Sequence, residues 1–162
     1  MPDVISDTSP IQYLYQTEML DLLPGLFGQV FVPEAVLSEL DAGLRQGVDL
    51  PNLKEIPWLN VCAVSDRTPL SQESSLGEGE REVIALGQER PGSMLLLDDR
   101  NARRHAIALG LKISGTLGVL LLAKEEGLLD SVRTVLDRLQ RQRFRLDPLT
   151  RRTALALARE DS

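Results

Sequence analysis

The sequence predicts an α/β fold in which a mainly parallel sheet is covered on both faces by helices. Short apolar runs rich in strand-forming residues recur along the chain, as Val4-Ile5-Ser6, Val30-Phe31-Val32, Met94-Leu95-Leu96-Leu97 and Leu111-Lys112-Ile113. Between them apolar residues return at helical spacing, and strands separated by helices call for parallel pairing with both faces buried. A third observation concerns charge. Asp7 closes the first strand run, Glu39 lies in the helix that follows Val32-Pro33, Glu80 and Glu82 open a helix after Gly77-Glu78-Gly79, and Asp98-Asp99 follow the apolar run ending at Leu97. Strand ends of a parallel sheet face one common edge, so carboxylates far apart in sequence can converge there.

Taken in order, Val4-Ile5-Ser6 reads as a buried strand, and Thr8-Ser9-Pro10 supplies cap chemistry and a first-turn proline for a helix over 11–15. A second short helix is expected over 19–23, ended near Pro24-Gly25, before the strand Val30-Phe31-Val32. Pro33 starts a longer helix whose stripe is Val36, Leu37, Leu40 and Leu44, with Gly43 and Gly47 marking its frayed end. Residues 48–57 are turn-rich, 59–64 alternate weakly as a strand, and 65–75 read as a polar loop beside the acidic edge. Val83, Ile84 and Leu86 form the buried face of a helix over 80–88, and Pro91-Gly92 breaks the chain before the strand over 94–97. A helix over 102–109 is capped by Gly110, a short strand follows at 111–113, and Gly115-Thr116-Leu117-Gly118 leads into a helix over 119–124 closed by Gly127. Val132, Val135, Leu136 and Leu139 mark another helix, and 150–159 a last one after the break at Pro148.

With 162 residues the chain fits one domain, 1–162, long enough to bury its own core. No apolar run reaches membrane-spanning length, and neither a basic n-region nor an apolar h-region opens the chain. The single cysteine, Cys62, cannot form an internal disulfide, which fits a reducing cytoplasm and a buried structural thiol. A net charge of -6 argues against a broad nucleic-acid-coating surface, though it leaves a nuclease open, because local basic segments can still track a phosphate backbone.

Converging carboxylates call for a cation. Two of them ~4 Å apart repel by roughly 4 kcal/mol at an effective dielectric near 20, so a cluster either holds protons or binds metal. With oxygen ligands alone, the metal expected is hard, Mg²⁺ or Mn²⁺.

The motifs Val4-Ile5-Ser6-Asp7-Thr8-Ser9-Pro10, Val32-Pro33 through Glu39-Leu40, Leu76-Gly77-Glu78-Gly79-Glu80-Arg81-Glu82-Val83, Leu97-Asp98-Asp99-Arg100 and Ser114-Gly115-Thr116-Leu117-Gly118 together resemble PIN-domain proteins, most of all the stand-alone prokaryotic branch related to toxin ribonucleases of toxin–antitoxin modules. The resemblance spans nearly the whole chain, ending in a helix over 136–146, with C-terminal helices from about 129 to 160 packing on the domain. It implies a three-layer α/β/α sandwich and a metal-dependent endoribonuclease that cleaves RNA through metal-activated water. By position, Asp7 matches the first acidic residue, Glu39 the second, Glu80 or Glu82 the third, and Asp98 or Asp99 the last. Glu80 and Asp98 are preferred, standing at the helix start and nearest the strand end. The resemblance also implies a small antitoxin partner and a homodimer, for which the apolar residues Leu20, Leu22 and Leu23 or the stripe over 37–44 are the candidate faces.

Each candidate has a plain structural alternative. Asp7 suits a helix N-cap, but a carboxylate at a buried strand end is costly unless paired, which favours function. Among Glu78, Glu80 and Glu82, at least one serves the helix macrodipole. Thr8 and Ser9 are either helix caps or partners of a metal ligand. Gly115-Thr116-Leu117-Gly118 is a tight strand-to-helix turn lacking the lysine of a P-loop, with Thr116 a candidate RNA phosphate contact. His105 reads as a helix-surface or packing residue. Arg100, Arg103 and Arg104 either grip phosphates or form a solvated face, as do Arg138, Arg141, Arg143 and Arg145 with Arg151-Arg152, which form an extended track or bind an acidic antitoxin. The contrasting reading of the whole is a PIN-like nucleic-acid-binding or regulatory module without turnover.

Overall fold

A computed structural model describes residues 2–66 and 75–161, so most of the polar loop expected over 65–75 lies outside the described residues. Among them, β1 (Val4–Ser6), β2 (Val30–Pro33), β3 (Leu59–Cys62), β4 (Met94–Leu96) and β5 (Lys112–Ser114) form one sheet in the order β3-β2-β1-β4-β5, every neighbouring pair parallel. The helices are α1 (Thr8–Gln16), α2 (Leu22–Phe27), α3 (Glu34–Arg45), α4 (Glu78–Glu89), α5 (Arg100–Ala108), α6 (Thr116–Glu125), α7 (Val132–Arg141) and α8 (Pro148–Leu157). The architecture is an α/β/α sandwich. Val4, Ile5 and Ser6 are all buried, as are Leu95, Leu96 and Leu97; because successive strand residues point to opposite faces, both faces of the central strands are covered. On one face α4 lies across β1, β2 and β4 and packs against α3 and α5, whereas α1, α2 and α6 pack together and α7 and α8 lie on α6.

Register places the functional edge. Ser6 pairs with Leu96, and Leu96 with Ser114, so the carboxyl ends of β1, β4 and β5 finish level. The ladder runs one residue further, with Asp7 N–H donating to the Leu96 carbonyl at 3.0 Å and Leu97 N–H to the Ser114 carbonyl at 2.9 Å. The chain moves outward from β1 to β2 and β3, then returns to the other side of β1 as β4. That reversal between β1 and β4 opens a crevice at their carboxyl ends, where Asp7 and Asp98 begin the next segments.

Several elements depart from expectation. The second helix starts at Leu22 and runs through Pro24 and Gly25 to Phe27. Pro24 falls in the first turn, where no intrahelical N–H bond is lost, and Gly28 at φ 74° ends the helix instead. Gly43 lies inside α3, its bare Cα packed under the Leu50 side chain, and does not mark a frayed end. Residues 48–57 include a 3₁₀ turn at Leu53–Glu55, capped by the Asn52 side chain, and β3 stops at Cys62. Cys62 is half-buried and not fully buried; Arg90 donates to its Sγ at 3.3 Å while pairing with Asp3 at 2.9 Å and lying over the Phe31 ring. The helix expected over 136–146 ends at Arg141. Arg143 takes a left-handed conformation, φ 66°, and the N–H groups of Arg143 and Phe144 donate back to the Gln140 and Leu139 carbonyls. This is the Schellman reversal, ordinarily built on glycine, and it turns Phe144 and Arg145 back across the molecule. Leu22, Leu23 and Leu40, expected on a dimer face, are buried in the chain's own core.

Among the described residues no helix is long and apolar enough to cross a membrane.

Candidate functional site

Four acidic residues from four segments share one region at the carboxyl edge of the sheet. Asp7, the N-cap residue of α1, is 5 % exposed, and its carboxyl is pushed up to about 7. Burial is the chief cause, opposed by a hydrogen bond from the Thr8 backbone, with the negative charges of Glu80, Glu39 and Asp98 raising it further. That response identifies Glu39, Glu80 and Asp98 as residues acting on Asp7 through space.

Each of those three is aimed by local chemistry. Glu39, one turn before the end of the α3 stripe, accepts from the Thr8 hydroxyl at 2.5 Å and from Gly79 N–H at 3.0 Å. Glu80 folds back to accept from Gly77 N–H at 2.9 Å, closing the first turn of α4. Its carboxyl is raised, first by burial and then, against the Gly77 bond, by the charges of Asp99 and Glu39. Asp98 accepts from both the N–H and the hydroxyl of Thr116, each at 2.7 Å. Burial still raises its carboxyl, over the opposing effects of Thr116 and the Arg103 charge.

The ambiguous pairs separate. Glu82 is buried, and its carboxylate accepts from Ala35 N–H at 3.0 Å, capping the first turn of α3 from α4. Asp99 is the N-cap of α5, accepting from Ala102 N–H at 2.9 Å, and its charge helps to raise the Glu80 carboxyl. Thr8 holds Glu39, while Ser9 sits half-buried in the first turn of α1. His105 is half-buried on α5. Among the described residues no group of three or more His, Cys, Asp or Glu side chains is placed to hold a metal ion between them.

Two glycines that the sequence marks only as a helix start and a strand-to-helix turn shape the site. A Cβ on Gly79 would stand 2.7 and 2.8 Å from the Glu39 carboxylate oxygens, and one on Gly115 would stand 2.7 Å from Asp98 Oδ1 and 3.0 Å from both Arg103 Nη1 and the Leu97 carbonyl. Only glycine lets these carboxylates reach the backbone N–H groups they accept from. The signal was present in Gly77-Glu78-Gly79 and Ser114-Gly115-Thr116, but spacing alone does not say what approaches them.

Basic residues distribute unevenly. Arg103 donates to the Leu97 carbonyl at 2.8 Å, and with Arg100, Arg145 and Asp98 it lines a groove of about 420 Å³ between the start of α6 and the segment after α7. Arg104 is exposed on α5. The expected basic track is interrupted: Arg138 donates to the Thr17 carbonyl and Arg151 pairs with Asp137 at 2.6 Å, which leaves Arg145 as the member of that run lining the groove. The Tyr13 ring meets Phe144 edge to face, centroids 5.1 Å apart. Its phenol is raised by burial and by the Asp98 charge, with Arg145 opposing.

A family model described as a PIN domain matches residues 3–160 of the chain. No curated protein matches it.

Proposed function

The chain belongs to the PIN-domain family, a family generally of nucleases, and from that premise we propose that it is a divalent-metal-dependent endoribonuclease. One observation carries the reading: a buried carboxyl at the switch point of the sheet, pushed up to about 7 and acted on by three further carboxylates from separate segments. A fold without a use for such a cluster gains nothing from holding those charges together in a partly buried place.

The donor set fits the metal proposed. Its atoms are carboxylate oxygens, suited to Mg²⁺ or Mn²⁺, and oxygens occupied by one hydrogen bond keep a further lone pair for a cation. Mg²⁺ is usually held by one or two carboxylates and keeps several waters, so it does not need three side chains in direct contact. Asp7, Glu39, Glu80 and Asp98 are the proposed ligands, directly or through water. When bound, the ion activates water and offsets charge on the phosphate.

The chain's own residues then have distinct tasks. Asp7, buried at the end of β1, supplies a carboxylate whose ionised form a bound cation would favour. Thr8 and Gly79 fix the Glu39 carboxylate, and Thr116 fixes Asp98, so that neither has to reorient during the reaction. Arg100 and Arg103 stand beside Asp98 to contact RNA phosphates. The likeness to toxin ribonucleases adds a small antitoxin as a proposed partner.

The test is cleavage of a mixed structured and single-stranded RNA pool by purified protein with Mg²⁺, with Mn²⁺ and with EDTA. Cleavage with either metal and none in EDTA is expected. Equal cleavage in EDTA, or none under any condition, contradicts the proposal.

A further inference from the structure

The groove beside Asp98 has a composition that cation binding does not require. Its walls are apolar along one stretch, with Leu117 and Leu121 one turn apart on α6 facing Phe144 and Leu146, while Arg100, Arg103 and Arg145 line it as well. Phe144 is held in place twice over, by the backbone reversal at Arg143 and by the edge-to-face contact with Tyr13. A half-buried aromatic ring, fixed against a groove and flanked by arginines, offers a stacking surface next to phosphate-binding charge.

We propose that this groove is a nucleotide subsite, in which the base of one unpaired residue of the RNA lies against Phe144 and the apolar wall while Arg103 and Arg145 contact its flanking phosphates. The proposal rests on the ribonuclease reading and deepens it. A volume of about 420 Å³ lies within the range of sites that take one small molecule and is too small for a base pair within a duplex. A base can enter only if it is unstacked, so the site favours single strands. Two carboxylates also line the groove. Asp98 is bonded to Thr116, and Asp147 accepts from the N–H and hydroxyl of Thr150 at 2.9 and 2.7 Å, so both acids are directed at donors of the protein itself. The groove joins the carboxylate cluster through Asp98, which places a bound base next to the phosphodiester to be cut.

The experiment measures binding apart from cleavage. Anisotropy of a fluorescein-labelled single-stranded RNA 12-mer in EDTA is compared with that of its duplex and of 12-mers carrying one abasic residue, for wild type, Phe144→Ala, Phe144→Trp and Arg145→Ala, with circular dichroism to verify folding. Stacking of one base is worth about 1–3 kcal/mol, so Phe144→Ala is expected to weaken single-strand binding about tenfold or more. Phe144→Trp is expected to restore it, Arg145→Ala to weaken it and flatten its salt dependence, and the duplex to bind less well than the single strand. The alanine penalty is expected to vanish on the 12-mer whose abasic residue falls at the subsite. Unchanged affinity in folded Phe144→Ala and Arg145→Ala, as for a groove that receives a protein segment, overturns the proposal, as does duplex binding equal to single-strand binding. These outcomes are independent of whether RNA is cut, so failure of the subsite and failure of the nuclease reading are read separately.

Discussion

Replacing Asp7 by asparagine is expected to stabilise the metal-free protein at pH 8 while abolishing RNA cleavage. The folded carboxyl titrates at about 7, against an ordinary value of 3.8. Between those values the folded state binds more protons than the unfolded chain, so stability from this group falls as pH rises through that window and levels off above it. Well below pH 3.8 both states hold the proton and nothing is lost, and at pH 4 the loss has only begun; by pH 8 the ionised, buried carboxylate costs up to about 4 kcal/mol. Asparagine is neutral and nearly the same shape. The difference in unfolding free energy between variant and wild type, measured by urea denaturation in EDTA from pH 4 to pH 8, should therefore start near zero and grow in favour of the variant. Titrating groups that do not interact with Asp7 cancel in that difference, and relief of the repulsion on Glu39, Glu80 and Asp98 adds to it in the same direction. A difference that is flat with pH, or that favours wild type at pH 8, rules out the charged cluster as described.

A second large effect is expected from Gly115→Ala. The added methyl would meet Asp98 Oδ1 at 2.7 Å and, on its other sides, Arg103 Nη1 and the Leu97 carbonyl at 3.0 Å. The carbonyl belongs to backbone that continues the β4–β5 ladder, so it has little freedom to move, and Asp98 is the group that must give way. Its displacement breaks the paired bonds to Thr116 and moves a proposed metal ligand by several tenths of an ångström or more. Misplacement on the order of 1 Å in a catalytic constellation can lower rate about a hundredfold. Cleavage is expected to fall by that order while circular dichroism stays native, because the backbone at Gly115 is extended, φ -156°, and alanine adopts it without strain. Wild-type activity in folded Gly115→Ala shows that the placement of Asp98 does not matter.

Much of the architecture was legible because the central strands are short, continuous apolar runs, the pattern of strands buried on both faces. Asp7 and Asp98 were legible for the same reason: a carboxylate directly after such a run lies at the end of a buried strand. What sequence could not supply was direction. Glu80 and Glu82 are two positions apart on one helix, hence on different faces, and only the packing of α3 on α4 decides that Glu82 caps Ala35 while Glu80 faces the cluster. Asp98 and Asp99 divide in the same way, one directed at Thr116 and the other at the start of α5. Phe144 and Arg145 were hidden more deeply. A helical stripe read through 139 gives no warning that Arg143 takes a conformation usual for glycine, and that turn is what carries both residues to the groove.

The most direct measurement of the central claim, that Asp7, Glu39, Glu80 and Asp98 act as one cation site, is calorimetric titration of Mn²⁺ into metal-free protein at pH 8. The comparison set is wild type, Asp7→Asn, Glu39→Gln, Glu82→Gln and Asp99→Asn. One saturable site is expected in wild type, weakened about tenfold or more in Asp7→Asn and Glu39→Gln and nearly unchanged in Glu82→Gln and Asp99→Asn. Absence of binding in wild type, or equal binding in Asp7→Asn and Glu39→Gln, contradicts the claim.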